Sequence, residues 1–307
     1  MLVCFVSALY QPFPSNFPFF IPRDKVADWL EHYAKAQDLV IWTNSQVIPK
    51  ATYDSQGRRW TMEINRDGTK VIVRPKHVVI ATSVHGFPHI PVIPHMEKFR
   101  GEVLHTSQFP GGQRFAGLRV VVIGAGNSSA DICQDLSFRG AASVTMVQRS
   151  KTCVVSSRQI TNFFAHVYPD DCPVEISDFK KAATPIGMMR AMARATADQR
   201  LAADKEMLEG LRKTGFQHSY GEDGSGPEIL YVSRGGGYCE SILRAQPEIC
   251  LVSCVHSLGL DVGCAELIAS GKVALRQGVE PVSFTETGIV FNDGTELQAD
   301  VVIFAYA

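Results

Sequence analysis

Two short stretches of this 307-residue chain combine residue types that could hold a nucleotide. The first is VVIGAGNSSADI, residues 121–132. Gly124, Gly126 and Ser129 stand there in G-x-G-x-x-G spacing. The first glycine permits a tight turn, the second lets a pyrophosphate approach the backbone, and the third position needs a small side chain where helix meets strand. A helix opening at Asn127 and Ser128 would aim unbonded N–H groups at phosphates. The second stretch is VTMVQRSK, residues 144–151. An NAD site places an Asp or Glu at this point for the ribose 2′-hydroxyl, and residues 141–155 contain no carboxylate. Arg149, Ser150 and Lys151 could instead bind a 2′-phosphate, with Arg149 offering a two-pronged fork. The pair of stretches predicts NADP in preference to NAD.

These residues need a scaffold. Residues 117–151 read as strand, tight turn, helix, strand, one βαβ unit in which a glycine triplet has structural meaning. Upstream, residues 23–39 predict a helix with Asp24 as its N-cap and Val26, Trp29, Leu30 and Tyr33 on one face. VIWTNSQV predicts a strand. Asp67-Gly68 predicts a hairpin turn between two alternating runs. The apolar run Val78–Ile80 predicts a buried parallel strand. Residues 185–216 are mostly strong helix formers, and Gly187 and Gly210 suggest more than one helix. From 272 onward four strands are expected, with a turn at Asn292-Asp293-Gly294.

Composition excludes several classes. A net charge of −1 gives no electrostatic case for nucleic acid or an acidic membrane surface. No apolar run approaches the roughly 18 residues of a membrane span. The first ten residues lack a basic region and a cleavage site, so no signal peptide is read. Eight cysteines contain no C-x-x-C, and Cys250, Cys254 and His256 have no second cluster to complete a metal site. Free thiols in a reducing, cytoplasmic setting are expected, and a dithiol–disulfide flavoenzyme is disfavoured.

One more pattern decides the family. FRGEVLHTSQF, residues 99–109, fits F-x-G-x-x-x-H-x-x-x-F through Phe99, Gly101, His105 and Phe109. The order VVIATS, GFPHIPVIP, FRGEVLHTSQF, VVIGAGNSSADI, VTMVQRS closely resembles the flavin-containing monooxygenases, which carry FAD and NADPH sites on one chain. Residues 13–39 and RGGGY (234–238) look most like fungal members related to dimethylaniline and plant indole-pyruvate monooxygenases. Phe109, where Baeyer–Villiger relatives carry Trp, favours oxygenation of nitrogen or sulfur.

The resemblance implies an α/β flavoprotein with two dinucleotide-binding domains. A Rossmann-like NADP domain is inserted in a partial FAD domain with a β-meander. The implied boundaries are 1–112 for the partial FAD domain, 113–280 for the NADP domain with a helical region, and 281–307 for the return to the FAD domain. The implied reaction uses FAD, NADPH and O2 through a C4a-hydroperoxyflavin, on a small nitrogen, sulfur or carbonyl substrate. The cofactor carries the chemistry, so catalytic side chains are few. Asn127 matches the family asparagine near the nicotinamide, and His105 is organisational rather than a base. Ala81-Thr82-Ser83 matches an Ala-Thr-Gly stretch beside the FAD, with Ser83 in the glycine's place.

Three departures follow from the same resemblance. No FAD turn precedes Gly124, the chain stops soon after a family strand at ADVVIFA, and about twenty residues at 239–259 intervene after RGGGY. The expectation is a chain truncated at both ends, with 239–259 either a translated intron or a surface loop. A non-catalytic NADP-binding remnant is the competing reading. A flavin-dependent reductase without oxygenase activity is a third.

Overall fold

A computed structural model describes residues 2–3, 11, 13–18, 20–81, 88, 90–169, 171–221, 223–226, 258–261 and 263–305. The chain divides into two compact units, Met1–Ser83 and Val84–Ala307.

In the first unit β1 (Leu2–Val3) pairs antiparallel with β2 (Phe20–Ile21). Helix α1 (Arg23–Ala36) follows. Pro22 occupies its N-cap without a side-chain bond, so Asp24 is not the cap. Asp24 lies in the first turn, where its charge complements the helix dipole. Trp29 anchors the helix against Phe13 and Tyr33, with ring centroids 4.4 and 5.5 Å apart, whereas Leu30 faces outward. The sheet of this unit is antiparallel. Its long strand β5 (Arg59–Arg66) receives β3 (Ser45–Val47), β4 (Thr52–Asp54) and β6 (Thr69–Val73). The hairpin between β5 and β6 turns at Asp67 and Gly68, with φ of 50° and 81°. That left-handed pair is what a two-residue type I′ turn requires.

The buried strand expected at Val78–Ile80 does not form. Val79 and Ile80 are 87 % and 84 % exposed and belong to no strand. An apolar run becomes a buried strand only where a sheet offers it neighbours, and the antiparallel sheet described here offers none. The strand expected in VIWTNSQV shrinks to β3 for the same reason: Val40 and Ile41 stand in solvent.

The second unit contains β7 (Glu102–His105), β8 (Arg119–Ile123), α2 (Asn127–Phe138) and β9 (Ser143–Gln148). Next come β10 (Cys153–Ser156), α3 (Ser157–Val167), α4 (Val174–Ala183), α5 (Ile186–Ala195), α6 (Ala197–Ala203) and α7 (Lys205–Lys213). Then follow β11 (Leu258–Asp261), α8 (Cys264–Ala269), β12 (Ala274–Gln277), β13 (Pro281–Phe284), β14 (Gly288–Phe291), β15 (Glu296–Gln298) and β16 (Val301–Phe304).

The helical region is more than one helix, as expected, with its joints away from the glycines. Gly187 and Gly210 lie inside α5 and α7, and the joints fall at Thr196 and Asp204. A Cβ on Gly210 would come within 3.1 Å of Ala269 Cβ, so this glycine serves the close packing of α7 on α8. Among the described residues no helix is long and apolar enough to cross a membrane.

Five parallel strands form the central sheet in the order β12-β9-β8-β16-β7. Alternation along each strand sorts its side chains onto two faces. Val120, Val122, Val144, Met146, Val301 and Ile303 face a core completed from α2, α7 and α8. Val121, Ile123, Val147, Val302 and Phe304 face a second core completed by Phe284, Ile289 and Phe291 of the β13–β15 meander. The sheet is buried on both sides, as parallel sheets are.

The sheet draws strands from all three expected segments. β7 was expected in the first domain and β16 in a returning one. Both are hydrogen-bonded in the five-stranded parallel sheet, with β16 between β8 and β7. Their local sequences are ordinary apolar strands, and only pairing across the chain assigns them.

One ion pair fastens the start of that pairing. Asp300 accepts from the Arg119 backbone N–H at 2.8 Å and from its Nε and Nη2 at 3.0 and 2.7 Å. The Arg119 guanidinium and N–H hold the Asp300 carboxyl well below the usual carboxylate range, at about 2. An unfolded Asp titrates near 4. The folded value is the lower one, so the pair stabilises fully above pH of about 4 and is lost as pH falls towards 2. Asp300→Asn is therefore expected to melt below the wild type at neutral pH. The difference should shrink between about pH 4 and pH 2, which thermal melts across that range would check.

Candidate functional site

The turn after β8 is where the sheet order changes direction. From β8 the chain runs outward through α2 to β9 and later to β12, then returns on the other side of β8 as β16. Open α/β sheets bind ligands in the crevice at such a switch point, outside the carboxyl ends of the strands. Gly124 donates its N–H to Val147 O at 2.9 Å, and Ala305 donates to Ile123 O at 2.8 Å, so the crevice edge is pinned on both sides.

The glycine spacing has a physical cause here. Gly124 has φ of +131°, a conformation that side chains rarely adopt. A Cβ on it would lie 2.7 Å from Ala305 O and 2.9 Å from Ser129 Oγ. Gly126 is the N-cap of α2 and contributes no capping side chain, which leaves the helix opening to be met from outside. Ser129 is fully buried, and its Oγ finds no hydrogen-bond partner among the described residues. A small third residue is therefore a packing requirement. The backbone approach and the helix N-terminus at the switch point fit a dinucleotide pyrophosphate.

Arg149, Ser150 and Lys151 follow β9 at the same carboxyl edge. A carboxylate does stand near Arg149, but it comes from far along the chain. Glu280 Oε1 lies 3.5 Å from Arg149 Nε, with both side chains about half exposed. Glu280 follows β12, the strand beside β9, so no local pattern could have announced it.

The histidine motif is built into this edge as well. His105 ends β7 in register with Phe304, which is in register with Ile123 at the end of β8. His105 thus lies two strand spacings, about 10 Å, from the end of β8, where the Gly124 turn begins. Its Nδ1 accepts the Ser107 N–H at 3.1 Å, and its own N–H donates to Gln108 Oε1 at 3.1 Å. An accepting Nδ1 places the proton of the neutral ring on Nε2. The ring is buried and fixed, which suits an organising role.

Gly101 is the motif's tightest point. A Cβ there would overlap both the Asp300 carbonyl and the ring of Phe99. Phe99 in turn packs on Phe284 with centroids 5.3 Å apart, and Phe109 stacks on Phe115 at 5.7 Å. The four residues therefore couple one edge strand to both cores. Asp135 carries no sequence signal of its role: its Oδ2 accepts the Gly112 N–H at 2.6 Å and ties the loop after the motif to α2.

The flavin side is different. Ala81 is exposed and irregular, and Thr82 and Ser83 lie outside the described residues. RGGGY, Cys250, Cys254 and His256 also lie outside them. Of the stretch 239–259, Leu258 and Gly259 open β11 and pair with Cys153 and Val154. The described elements of the first unit include no strand–turn–helix with glycine spacing.

The sequence signature of a family described as flavin-binding monooxygenase-like matches residues 2–225. An indole-3-pyruvate monooxygenase of Oryza sativa subsp. japonica is 26% identical over 294 residues, covering 96% of this chain and 61% of the relative. Flavin-containing monooxygenase 2 of Homo sapiens is 28% identical over 302 residues, covering 96% of this chain and 48% of that one. A solved structure of an oxidised steroid monooxygenase bound to NADP shares the fold with a TM-score of 0.56 at 20% identity, covering 99% of this chain and 60% of that one. The chain thus spans about half to three-fifths of the length of these proteins.

Proposed function

The chain belongs to the flavin-binding monooxygenase-like family, and from that premise we propose that it supplies the NADPH-binding part of a flavin- and NADPH-dependent monooxygenase. The observation that carries the reading is the Gly124 turn, pressed against Ala305 at the switch point of a five-stranded parallel sheet. Gly124, Gly126, Asn127, Ser128 and Ser129 would receive the pyrophosphate and the nicotinamide side. Arg149, Ser150 and Lys151 would receive the 2′-phosphate. Flavin, when bound, supplies the oxygen chemistry, and no step through it is derived from these residues. The substrate class is a small nitrogen-, sulfur- or carbonyl-containing molecule, oxidised with O2.

A second reading is a chain that binds NADP without turning over. Purification of the full chain separates the two. A yellow protein whose flavin absorbance bleaches on adding NADPH supports the enzyme. A colourless protein that still binds NADPH supports the second reading. In either case Arg149→Ala combined with Lys151→Ala should weaken NADPH binding roughly 10- to 100-fold, the loss of charge-assisted bonds to a phosphate, and leave NADH binding unchanged. A wild type that binds NADH as tightly as NADPH would refute the 2′-phosphate assignment.

A further inference from the structure

Gln148 is the last residue of β9, and its side chain is fully buried. A buried amide must satisfy two N–H donors and a carbonyl. Gln148 does so against one neighbour in particular. Its Oε1 accepts the Gln217 backbone N–H at 2.9 Å, and its Nε2 donates to Gln217 O at 2.9 Å. Nε2 also lies 3.3 Å from Thr152 Oγ1. The amide therefore copies a peptide group and pairs with the chain that leaves α7.

Thr152 meets the same segment from the other side. Its N–H donates to Gln217 O at 3.0 Å, and its carbonyl accepts the Ser219 N–H at 3.2 Å. The Gln148 backbone carbonyl accepts from Gly278 at 2.8 Å, beyond β12. The three residues between these anchors are Arg149, Ser150 and Lys151. Both ends of the basic turn are thus fastened to the Gln217 backbone, while Arg149 and Lys151 are exposed.

We propose that Gln148 is a positioning residue for cofactor choice: by bonding to Gln217 it fixes the Arg149–Lys151 turn in the shape that takes a 2′-phosphate. The proposal rests on reading that turn as the 2′-phosphate site. Gln148 itself does not reach the surface and so acts through the turn. Its removal should harm recognition of the 2′-phosphate without harming the pyrophosphate turn, which is pinned by the Gly124–Val147 and Ala305–Ile123 backbone bonds and not by the Gln148 side chain.

The test is Gln148→Met in the full chain, with dissociation constants for NADPH and NADH measured by fluorescence titration. Methionine keeps the volume and removes both bonds to Gln217. NADPH binding should weaken about tenfold, the effect expected of losing two hydrogen bonds that hold the turn, with NADH binding within about twofold of wild type. Equal weakening of both cofactors, or of neither, overturns the proposal. If Gln148→Met does not fold, Thr152→Val removes one of the Nε2 contacts and should lower the NADPH-over-NADH ratio about threefold; an unchanged ratio overturns the proposal. A wild type without NADPH preference would instead overturn the underlying reading of the turn.

Discussion

Gly124→Ala is expected to abolish high-affinity NADPH binding, weakening it by at least about 100-fold, or about 2.7 kcal/mol. Two costs combine. The backbone at φ of +131° is open to glycine and strained for alanine. The new methyl would also sit 2.7 Å from Ala305 O, whose residue is bonded to Ile123 and cannot retreat freely. The turn must then open, and opening it removes the surface that the pyrophosphate approaches. Gly140→Ala is the matched control. Its φ is +80°, nothing lies within 4 Å of its Cβ position, and it follows α2 at the opposite end of that helix from the turn. Titration of NADPH against both variants and the wild type decides the matter. An affinity for Gly124→Ala close to that of Gly140→Ala would remove the steric argument.

Gly101→Ala is expected to have the larger effect on stability. Its methyl would overlap the Asp300 carbonyl and the Phe99 ring at once. Neither neighbour is a flexible surface chain. Asp300 O accepts the Glu102 N–H at 3.0 Å, and Phe99 is buried against Phe284. Overpacking at so constrained a point belongs at the upper end of the usual range, about 3 kcal/mol. The midpoint of urea unfolding should fall accordingly. An unchanged midpoint would mean that β7 is held less tightly to β16 than the contacts indicate.

Much of this was legible in the residues, for identifiable reasons. The βαβ unit at 117–151 declares itself because a glycine triplet, a strand and a helix occur in an order that only one local geometry satisfies. Asp67-Gly68 declares its hairpin for the same reason: the turn needs two left-handed residues, and that pair accepts them. What stayed hidden depends on residues far apart. Val301–Phe304 reads as an apolar strand but does not say that it lies between β8 and β7. Glu280 gives no sign that it lies beside Arg149, and Gln148 none that its amide is spent on Gln217. Val78–Ile80 shows the converse. Its composition suits a buried strand, yet burial belongs to the neighbours, and the described sheet of the first unit supplies none. The helix joints at Thr196 and Asp204 escaped because glycine marks where a chain can bend, whereas Gly210 was needed for helix contact.

The placement of β16 has a consequence for how the molecule is made. The centre of the sheet is filled by a stretch made long after its neighbours β7 and β8, and Asp300 meets Arg119 across 181 residues of sequence. Contacts of such separation close slowly, because the loop entropy precedes the reward. Until they close, β7 and β8 each present an apolar ladder with open N–H and C=O groups, the kind of edge that recruits strands from other molecules. Solubility during synthesis therefore depends on the time between translation of residue 123 and arrival of residue 301. Any variant that lengthens that interval should appear first as aggregate rather than as a folded protein with weaker binding.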